Sequence, residues 1–360
     1  MFTKFLPLLA LSACAGALLT GCSSTKTEPA TGTTSASTTT SDAKPITVGI
    51  SDWPGYLVWD IAKEQGFFEK EGVNVDLKWF PVYTDSLNAF AAGQLDANSQ
   101  TWNDFMAPLS QGVDAKAVLM FDNSFGNDAL LAQPGINSVK DLKGKRVATE
   151  LGTCDHFLML KALESAGMKE GDVKFTPIAV QDCPAAMLSK RVDAAVVWEP
   201  SRTKILNEIK GSKTLFDSSD IPGVIPDLLV VKTDVVNSRD ADIQKMVNAF
   251  YKSVDWWREN PDKAVAIMAK RTGTLVADYQ GFIKGTRILS APEAMKAMTK
   301  SDKPTSLYTS GESISKFLID AKQMTKMPDY AGAIEPKYTK AAMEAGLGKL
   351  PPYDYKMKFE

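Results

Sequence analysis

The chain has 360 residues, of which 44% are hydrophobic, and its 41 Lys and Arg nearly balance its 43 Asp and Glu to give a formal net charge of -2. A chain with this balance has no strongly basic surface, which excludes nucleic acid and anionic lipid as charge-driven partners. The length is sufficient for two domains.

The first 22 residues have the pattern of an export signal. Lys4 supplies a positive charge, residues 5–19 are apolar, and small residues precede Cys22. The ending Leu-Thr-Gly-Cys resembles a bacterial lipobox, which implies that Cys22 is lipidated and anchors the mature protein at the periplasmic face of the cell membrane. A plain signal peptide or a membrane anchor is the alternative, although the apolar run is too short and too early for an ordinary spanning helix. Each of these readings places the mature protein outside the cytoplasm.

Residues 23–44 consist mostly of Ser, Thr, Ala, Pro and Gly. Such a segment cannot bury enough apolar surface to become ordered. We therefore predict a disordered tether over residues 23–44, followed by a folded part that begins at Pro45. No later stretch is long and apolar enough to span a bilayer.

From Pro45 onward, strand and helix patterns alternate in two similar runs. The first run predicts strand Ile46–Ile50, helix Tyr56–Glu71, strand Val75–Phe80, helix Thr84–Ala92 and strand Asp96–Gln100. The second predicts strand Arg146–Thr149, helix Asp155–Ala166, strand Val173–Ile178, helix Pro184–Ser189 and strand Ala194–Val197. Each last strand leads to a tryptophan, Trp102 or Trp198. The repetition predicts an α/β fold with two doubly wound lobes.

Two apolar stretches are predicted to cross between the lobes and form a hinge: Ala117–Leu131, which a polar loop interrupts, and Leu228–Val231. Beyond Thr233 the patterns are mostly helical, with helices over Ala241–Glu259, Pro261–Lys270 and Ser310–Met324. We predict that this region packs on the first lobe, because no Gly/Ser linker precedes it; an independent helical domain is the alternative. Lobe I would comprise residues 45–131 and 232–360, and lobe II residues 132–231.

Several motifs carry a family likeness: TVGISDWPGYLVWDIAKEQGFFEKEGVNVDL, AAGQLDAN, NSVKDLKGKRVAT and VDAAVVWEP. With the lipobox and tether, they resemble the extracytoplasmic solute-binding proteins of ABC importers in the nitrate, sulfonate and taurine group. The resemblance implies a two-lobed, periplasmic-binding-protein-like clamp that delivers a small solute to a permease and an ATPase on other chains. The segments DLKWFPVYTDSLNAFAAGQLDANSQTWND, DNSFGNDALL and ELGTCDHFL look most like a branch associated with guanidine-utilisation genes. We expect the clamp to be a monomer.

The loops at the predicted strand ends and hinge are rich in acids and contain no Lys or Arg; they are residues 51–56, 81–85, 100–104, 122–128, 149–156, 181–184 and 198–200. Ligands of open α/β sheets bind at such strand ends. An anion pocket usually contains Arg or Lys, so these loops favour a small cation. Helix N-termini can bind an anion without a basic residue, which leaves nitrate, taurine or alkanesulfonate as alternatives.

Guanidinium fits such loops because it is planar, permanently charged, rich in N–H donors and able to stack on aromatic rings. The candidate ligand-binding residues are Asp52, Trp53, Tyr56, Trp102, Asp128, Glu150, Asp155, Asp182, Trp198 and Glu199. Asp155 begins a predicted helix, so helix capping is its alternative role; Trp53 and Trp102 could instead belong to the core. We predict that Asp52→Asn or Glu150→Gln abolishes binding while leaving the fold intact.

Two cysteines remain after the lipobox, Cys154 and Cys183, in matching loops of the second lobe. In an oxidising compartment they are a candidate disulfide, with free thiols as the alternative. A metal site of Cys154, His156, Asp182 and Cys183 is a further alternative, which we disfavour because His156 is the only histidine and falls on a predicted helix. We therefore predict no metal and no cofactor.

An enzyme on the same fold is the rival class, because some pyrimidine-synthesising proteins of thiamine metabolism resemble this family. The chain has one histidine and lacks the G-x-S-x-G, P-loop and H-E-x-x-H motifs. We therefore predict a receptor and not an enzyme. A binding module for a thiamine-type pyrimidine remains an alternative, since the same tryptophans and acids would suit an aminopyrimidine.

Overall fold

The computed structural model describes residues 44–354, so the predicted signal peptide, the lipidation at Cys22 and the tether up to residue 43 lie outside the described residues. The described part contains two five-stranded sheets, each flanked by helices. This confirms the predicted α/β class and two-lobed architecture. Within residues 44–354, every helix is too short or too polar to span a bilayer.

The elements follow the chain in three groups. The first is β1 (Ile46–Ile50), α1 (Val58–Glu64), α2 (Phe67–Glu71), β2 (Val75–Trp79), α3 (Tyr83–Ala91), β3 (Ala97–Thr101), α4 (Trp102–Ser110) and β4 (Ala115–Asn123). The second is β5 (Ala129–Ala132), β6 (Arg146–Thr149), α5 (Cys154–Ser165), β7 (Lys174–Pro177), α6 (Cys183–Leu188), β8 (Ala194–Val197), α7 (Ser201–Glu208) and β9 (Lys213–Asp217). The third is β10 (Pro226–Lys232), α8 (Thr233–Ser238), α9 (Asp240–Glu259), α10 (Pro261–Thr272), α11 (Val276–Thr286), α12 (Ala291–Ala297), α13 (Leu307–Asp320) and α14 (Lys337–Glu344).

The two sheets have the same arrangement. The strand order is β2-β1-β3-β10-β4 in the first sheet and β7-β6-β8-β5-β9 in the second. In each sheet the first three strands are parallel, and an antiparallel strand, β10 or β5, pairs with the third. The carboxyl ends of the parallel strands therefore lie at one edge of each sheet, where ligands bind in open α/β folds.

The predicted lobe boundaries are wrong by one strand at each crossing. Strand β5 lies in the second sheet, although the predicted boundary after Leu131 assigned it to lobe I. Strand β10 lies in the first sheet, although the boundary after Val231 assigned it to lobe II. The chain changes sheet over residues 124–128 and 218–225. The prediction was wrong because the apolar strands on either side of each loop look alike in sequence.

The long helix predicted over Tyr56–Glu71 is two helices in the structure. Gly66 adopts a left-handed backbone conformation, with φ of 66°, between α1 and α2. A residue with a Cβ rarely adopts this conformation, so glycine is suited to the break. The apolar periodicity continues across the break, which is why the pattern alone predicts one helix.

The helical region after β10 packs on the first lobe, as predicted. Helix α9 contacts α1 and α2, helix α14 packs on α9, and α13 packs on α4. Trp59 of α1 is fully buried in this core, 5.4 Å from the ring of Phe250 in α9 and 5.7 Å from Phe121 in β4. These contacts fix the strand ends of the first lobe.

Candidate functional site

A small cavity lies between the lobes, where the strand ends and both crossings meet. It is lined by Ser51, Trp53, Tyr56, Tyr83 and Thr101 from the first lobe, Cys154 and Trp198 from the second, and Asp128, Ile225 and Asp227 next to the crossings. Its volume is about 20 Å³ when counted as the space open to the centre of a water-sized sphere. Such a cavity admits one compact molecule and excludes an extended one.

The lobes are closed on this cavity. Trp198 of the second lobe donates its indole N–H to Asp52 Oδ1 of the first lobe at 3.0 Å. The Trp198 ring also meets the Tyr83 ring edge-to-face, with 5.4 Å between centroids. A tryptophan of one lobe therefore contacts both a carboxylate and a ring of the other, and these contacts break when the clamp opens.

Glu150 makes a further connection between the lobes. Its Oε1 accepts a hydrogen bond from the backbone N–H of Thr84 in α3 at 3.0 Å, and its Oε2 accepts one from the backbone N–H of Val180 at 3.1 Å. The residue before α3, Val82, provides no side-chain cap. Glu150 of the second lobe thus caps a helix of the first lobe with Oε1, while Oε2 bonds within its own lobe, so both oxygens are occupied.

Four aromatic residues around the cavity each donate a hydrogen bond to a carboxylate. The pairs are Trp53 to Asp122 at 3.1 Å, Tyr56 to Asp227 at 2.5 Å, Tyr83 to Asp104 at 2.8 Å and Trp198 to Asp52 at 3.0 Å. The rings line the cavity, and the carboxylates are held at their polar edges. Two features of this arrangement attract a cation: the faces of the aromatic rings, and the negative charge of the carboxylates at their polar edges.

The glycine at position 55 allows one of these pairs to form. A Cβ at Gly55 would lie 1.7 Å from Asp122 Oδ2, a distance at which atoms overlap. In the structure the carboxylate of Asp122 itself makes the close approach.

Burial raises the pKa of the carboxyl groups around the cavity. Burial raises the pKa of Asp52 to about 6, and it raises the pKa values of Asp104 and Asp128 to about 7. The pKa values of Asp122, Asp155 and Asp227 are raised well above their usual range, again chiefly by burial and then by neighbouring carboxylates. Like charges this close cannot all ionise without a compensating cation.

Several of these oxygens have no hydrogen-bond partner within residues 44–354. They are Asp128 Oδ2 and both carboxyl oxygens of Asp155. Asp155 is fully buried in the first turn of α5. An unpartnered buried acceptor is costly, so these atoms mark where a positively charged group would bind most favourably.

Most of the predicted first-lobe and hinge residues reach the site. Trp53, Tyr56, Asp128 and Trp198 line the cavity, Asp52 accepts the hydrogen bond from Trp198, and Asp155 is adjacent to Asp128. The structure places Glu150 between the lobes as a cap, with its oxygens occupied.

Asp52, Glu150 and Asp155 do not line the cavity themselves, and three further predicted residues have roles elsewhere. Trp102 is fully buried in the core and donates its indole N–H to the backbone O of Leu307 at 3.0 Å, because α13 packs on α4 at this point. Asp182 is exposed at the outer surface. Glu199 is buried, but its oxygens accept hydrogen bonds from the Arg202 guanidinium and from the N–H and hydroxyl of Thr203, so it serves the start of its own helix.

The predicted disulfide is not formed, and Cys154 and Cys183 are free, buried thiols. The sulfur of Cys154 faces Asp128 Oδ1 at 3.9 Å, whereas the sulfur of Cys183 faces the backbone O of Ala179 at 3.6 Å. The two side chains point to different surroundings. The alternative metal set is separated as well, since His156 faces Glu170 at 3.6 Å and Asp182 is exposed.

Sequence reasoning missed Tyr83, Asp104, Asp122 and Asp227 as site residues. All four lie in or beside loops that were named as strand ends or crossings. Asp227 has the clearest sequence signal, because a charged residue at the start of an otherwise apolar strand requires a reason to be buried.

Comparison with a protein-family model matches residues 55–264 to a family described as NMT1/THI5 like. A protein of Brucella abortus (strain 2308), named as a binding protein without a stated ligand, is 30% identical over 259 residues, 71% of this chain and 80% of that protein. The taurine-binding periplasmic protein of Escherichia coli (strain K12) is 24% identical over 294 residues, 78% of this chain and 86% of that protein.

Solved structures share the fold. The periplasmic aliphatic sulphonate binding protein SsuA from Escherichia coli superposes with a TM-score of 0.68 at 21% identity, over 81% of this chain and 98% of that chain. The desulfurization enzyme DSZB superposes with a TM-score of 0.61 at 14% identity, over 84% of this chain and 100% of that chain. The fold therefore supports both binding proteins and an enzyme, and the choice between them depends on the site.

Proposed function

This chain belongs to the NMT1/THI5-like family, and from that premise we propose that it is the solute-binding component of an ABC importer, selective for a small organic cation that guanidinium matches best. Relatives named as periplasmic binding proteins support the receptor role and a place outside the cytoplasm. The permease and ATPase would be other chains. The lipid anchor at Cys22 belongs to the same proposal.

The carboxylate and aromatic lining of the cavity carries the choice of a cation. Asp128 and Asp227 line the cavity directly, and the remaining acids lie behind the rings. Among the described residues that line the cavity, none is Lys or Arg. A sulfonate placed here would lack a positively charged partner among the residues that line the cavity.

The size of the cavity favours guanidinium itself over its substituted relatives. Guanidinium has four non-hydrogen atoms in one plane, and its face can stack on Trp53 or Trp198 while its edge donates to Asp128 and Asp227. The closing contact between Tyr83 and Trp198 leaves little room for a side chain on the ligand. Agmatine or arginine would require the lobes to stay apart.

The site chemistry supports a receptor more than an enzyme. Cys154 is the only thiol in the cavity lining, and burial followed by the neighbouring carboxylates raises its pKa well above the usual range. A thiol in this state is a poor nucleophile. The histidine that could act as its base, His156, faces Glu170 instead.

The test is a binding panel that pairs each cation with a matched neutral or anionic compound. Thermal shift and calorimetry on the purified protein would compare guanidinium, urea, methylguanidinium, agmatine, taurine, ethanesulfonate, nitrate and an aminopyrimidine. We expect guanidinium to raise the melting temperature and urea, its neutral isostere, to have no effect. If taurine or ethanesulfonate raises the melting temperature and guanidinium does not, the solute is a sulfonate and the proposed cation is wrong.

Matched variants connect the result to the site. Asp128→Asn removes a charge from the cavity lining, whereas Asp182→Asn removes one from the exposed surface. We expect the first variant to lose guanidinium binding and the second to keep it. Equal affinities in both variants would exclude this cavity as the binding site.

A further inference from the structure

Three potential metal ligands lie close together beside the cavity: Asp128 at the end of the first crossing, and Cys154 and Asp155 in the first turn of α5. Each offers one donor atom, and the three atoms lie within 4.8 Å of one another. Their exposed fractions are 2%, 2% and 0%. Three donors this close can contact a single ion.

The hydrogen bonding of these residues leaves them available as ligands. Within residues 44–354, both oxygens of Asp155 and Oδ2 of Asp128 have no hydrogen-bond partner. The Cys154 sulfur is 3.9 Å from the other Asp128 oxygen, at the long limit of a sulfur hydrogen bond. A buried carboxyl without any partner is costly, and an ion shared by three ligands would offset this cost.

The donor set indicates the class of ion. One sulfur and two carboxylate oxygens suit a borderline-soft divalent ion such as Zn²⁺ or Co²⁺, whereas Mg²⁺ and Ca²⁺ take oxygen ligands. Guanidinium is less suited to this set, because its N–H donors point outward from a plane, whereas a single ion can contact three donor atoms that lie within 4.8 Å of one another. Because Asp128 and Cys154 also line the cavity, a fourth coordination position would open into it.

We propose that Asp128, Cys154 and Asp155 bind a thiophilic divalent cation, with Zn²⁺ as the reference ion. The proposal departs from the prediction that the chain binds no metal, and it does not depend on which organic molecule the receptor carries. Binding releases the thiol proton of Cys154, and any proton on the two carboxyl groups, to solvent, because the thiolate and the carboxylates are the ligands. The ion would add two positive charges to the wall of the cavity, so we expect it to compete with an organic cation.

The direct test uses Co²⁺ as a spectroscopic probe of the purified protein. We expect one Co²⁺ per chain, with a near-ultraviolet thiolate-to-cobalt charge-transfer band, and displacement of the Co²⁺ by Zn²⁺. Cys154→Ser should remove the band and weaken Zn²⁺ binding, measured against a competing chelator, by at least about tenfold, the lower limit seen when even an outer-shell partner is lost.

Cys183→Ser is the matched control, since Cys183 is also a buried free thiol and lies outside the three-residue set. We expect this variant to keep both the band and the Zn²⁺ affinity. Asp155→Asn should weaken Zn²⁺ binding, whereas Asp182→Asn should not. Thermal melting of each variant checks its fold. Absence of the charge-transfer band in the wild type, or its survival in Cys154→Ser, would overturn the proposal.

Competition between Zn²⁺ and guanidinium tests the metal site independently of the proposed solute. A Zn²⁺ concentration just sufficient to saturate the wild type should weaken guanidinium binding there, and it should weaken guanidinium binding less in Cys154→Ser, which binds Zn²⁺ more weakly. If guanidinium fails to bind in metal-free solution, the proposed solute is wrong, while the cobalt spectra still decide the metal site. Zn²⁺ binding that leaves guanidinium affinity unchanged in the wild type would place the ion elsewhere and overturn the assignment.

Discussion

At the scale of single residues, the aromatic rings do more than fill space between the lobes. Trp53, Tyr56, Tyr83 and Trp198 each use their one polar group to hold a carboxylate. A buried Trp or Tyr needs such a partner, and here the partner is an acid in every case. The rings therefore set the positions of the negative charges.

Solute binding should depend on pH through Asp52, whose pKa burial raises to about 6. Below pH 6 this carboxyl is protonated and cannot attract a cation, so we expect guanidinium affinity to rise as the pH increases through this value, by up to about tenfold per pH unit for one released proton. Calorimetry at pH 5, 6, 7 and 8 measures this. Because Asp52 does not line the cavity, we expect Asp52→Asn to weaken binding and not to abolish it, in contrast to the prediction from sequence. This variant should lose this part of the pH dependence, while Asp182→Asn should behave as the wild type. An affinity that is constant over this range contradicts the assignment.

The sequence was sufficient to predict residues whose position follows from a strand end. Asp52, Trp53, Tyr56, Asp128 and Trp198 reach the site because the chain must turn at those loops. It was not sufficient for Trp102, whose direction depends on Leu307, more than two hundred residues away in sequence. The roles of Glu150 and Glu199 likewise depend on which backbone N–H groups the fold brings to them.

At the scale of elements, the N-terminus of α3 is completed by a residue from the opposite lobe. Glu150 follows β6, and its bond to the N–H of Thr84 exists only when the lobes are closed. Opening removes the cap from α3 and leaves one Glu150 oxygen without its partner. The pair therefore stabilises the closed clamp whichever solute is inside.

Glu150→Gln should speed solute release and not abolish binding as the sequence alone predicted, because Glu150 does not line the cavity. The amide can accept one of the two backbone hydrogen bonds and must present its NH₂ group to the other, so a hydrogen bond to a charged group is lost. We expect the solute affinity to be about tenfold weaker, mostly because dissociation is faster. This corresponds to a loss of about 1.4 kcal/mol of binding free energy. Stopped-flow binding measures both rates, and small-angle scattering measures closure. Glu164→Gln, on the exposed face of α5, is the control. An altered preference between guanidinium and taurine would instead indicate direct contact with the solute.

Element boundaries were predictable where the pattern changes abruptly. Strands β6 and β8 have the predicted limits: Lys145 and Glu150 flank β6, and Asp193 precedes β8. It was harder to predict from sequence which sheet a strand joins. Strands β5 and β10 are short and apolar, and their sequences do not record which sheet they enter. The loops at residues 124–128 and 218–225 decide this.

At the scale of the whole molecule, the buried acids oppose folding at neutral pH. Asp52, Asp104 and Asp128 have raised pKa values, so the folded chain binds more protons than the unfolded chain between about pH 4 and pH 7. The free energy of unfolding should therefore fall as the pH increases through this window. His156, whose pKa burial lowers, acts in the opposite direction but is a single group.

We expect the solute-free protein to melt at a higher temperature at pH 5 than at pH 8. Surface acids with lowered pKa values, such as Asp141 and Asp193, stabilise the folded protein throughout this window. Their contribution to the free energy of unfolding is lost only at a pH below the usual pKa range of a carboxyl group. Guanidinium should raise the melting temperature most at pH 8, where more carboxylates require a counter-charge. A calorimetric melting series with and without guanidinium measures both effects. A melting temperature that increases steadily from pH 5 to pH 8 would show that other groups control stability.

The strand order also sets an order of folding. Every strand of the second sheet lies within one unbroken segment, residues 129–217, so that sheet can be completed as soon as β9 has been synthesised. In the first sheet, β4 has β10 as its strand neighbour and must wait until the whole intervening segment has been made. Pairings between distant parts of a chain form late. The second lobe is therefore the part that can mature first, and the first lobe closes its sheet around an already folded insertion.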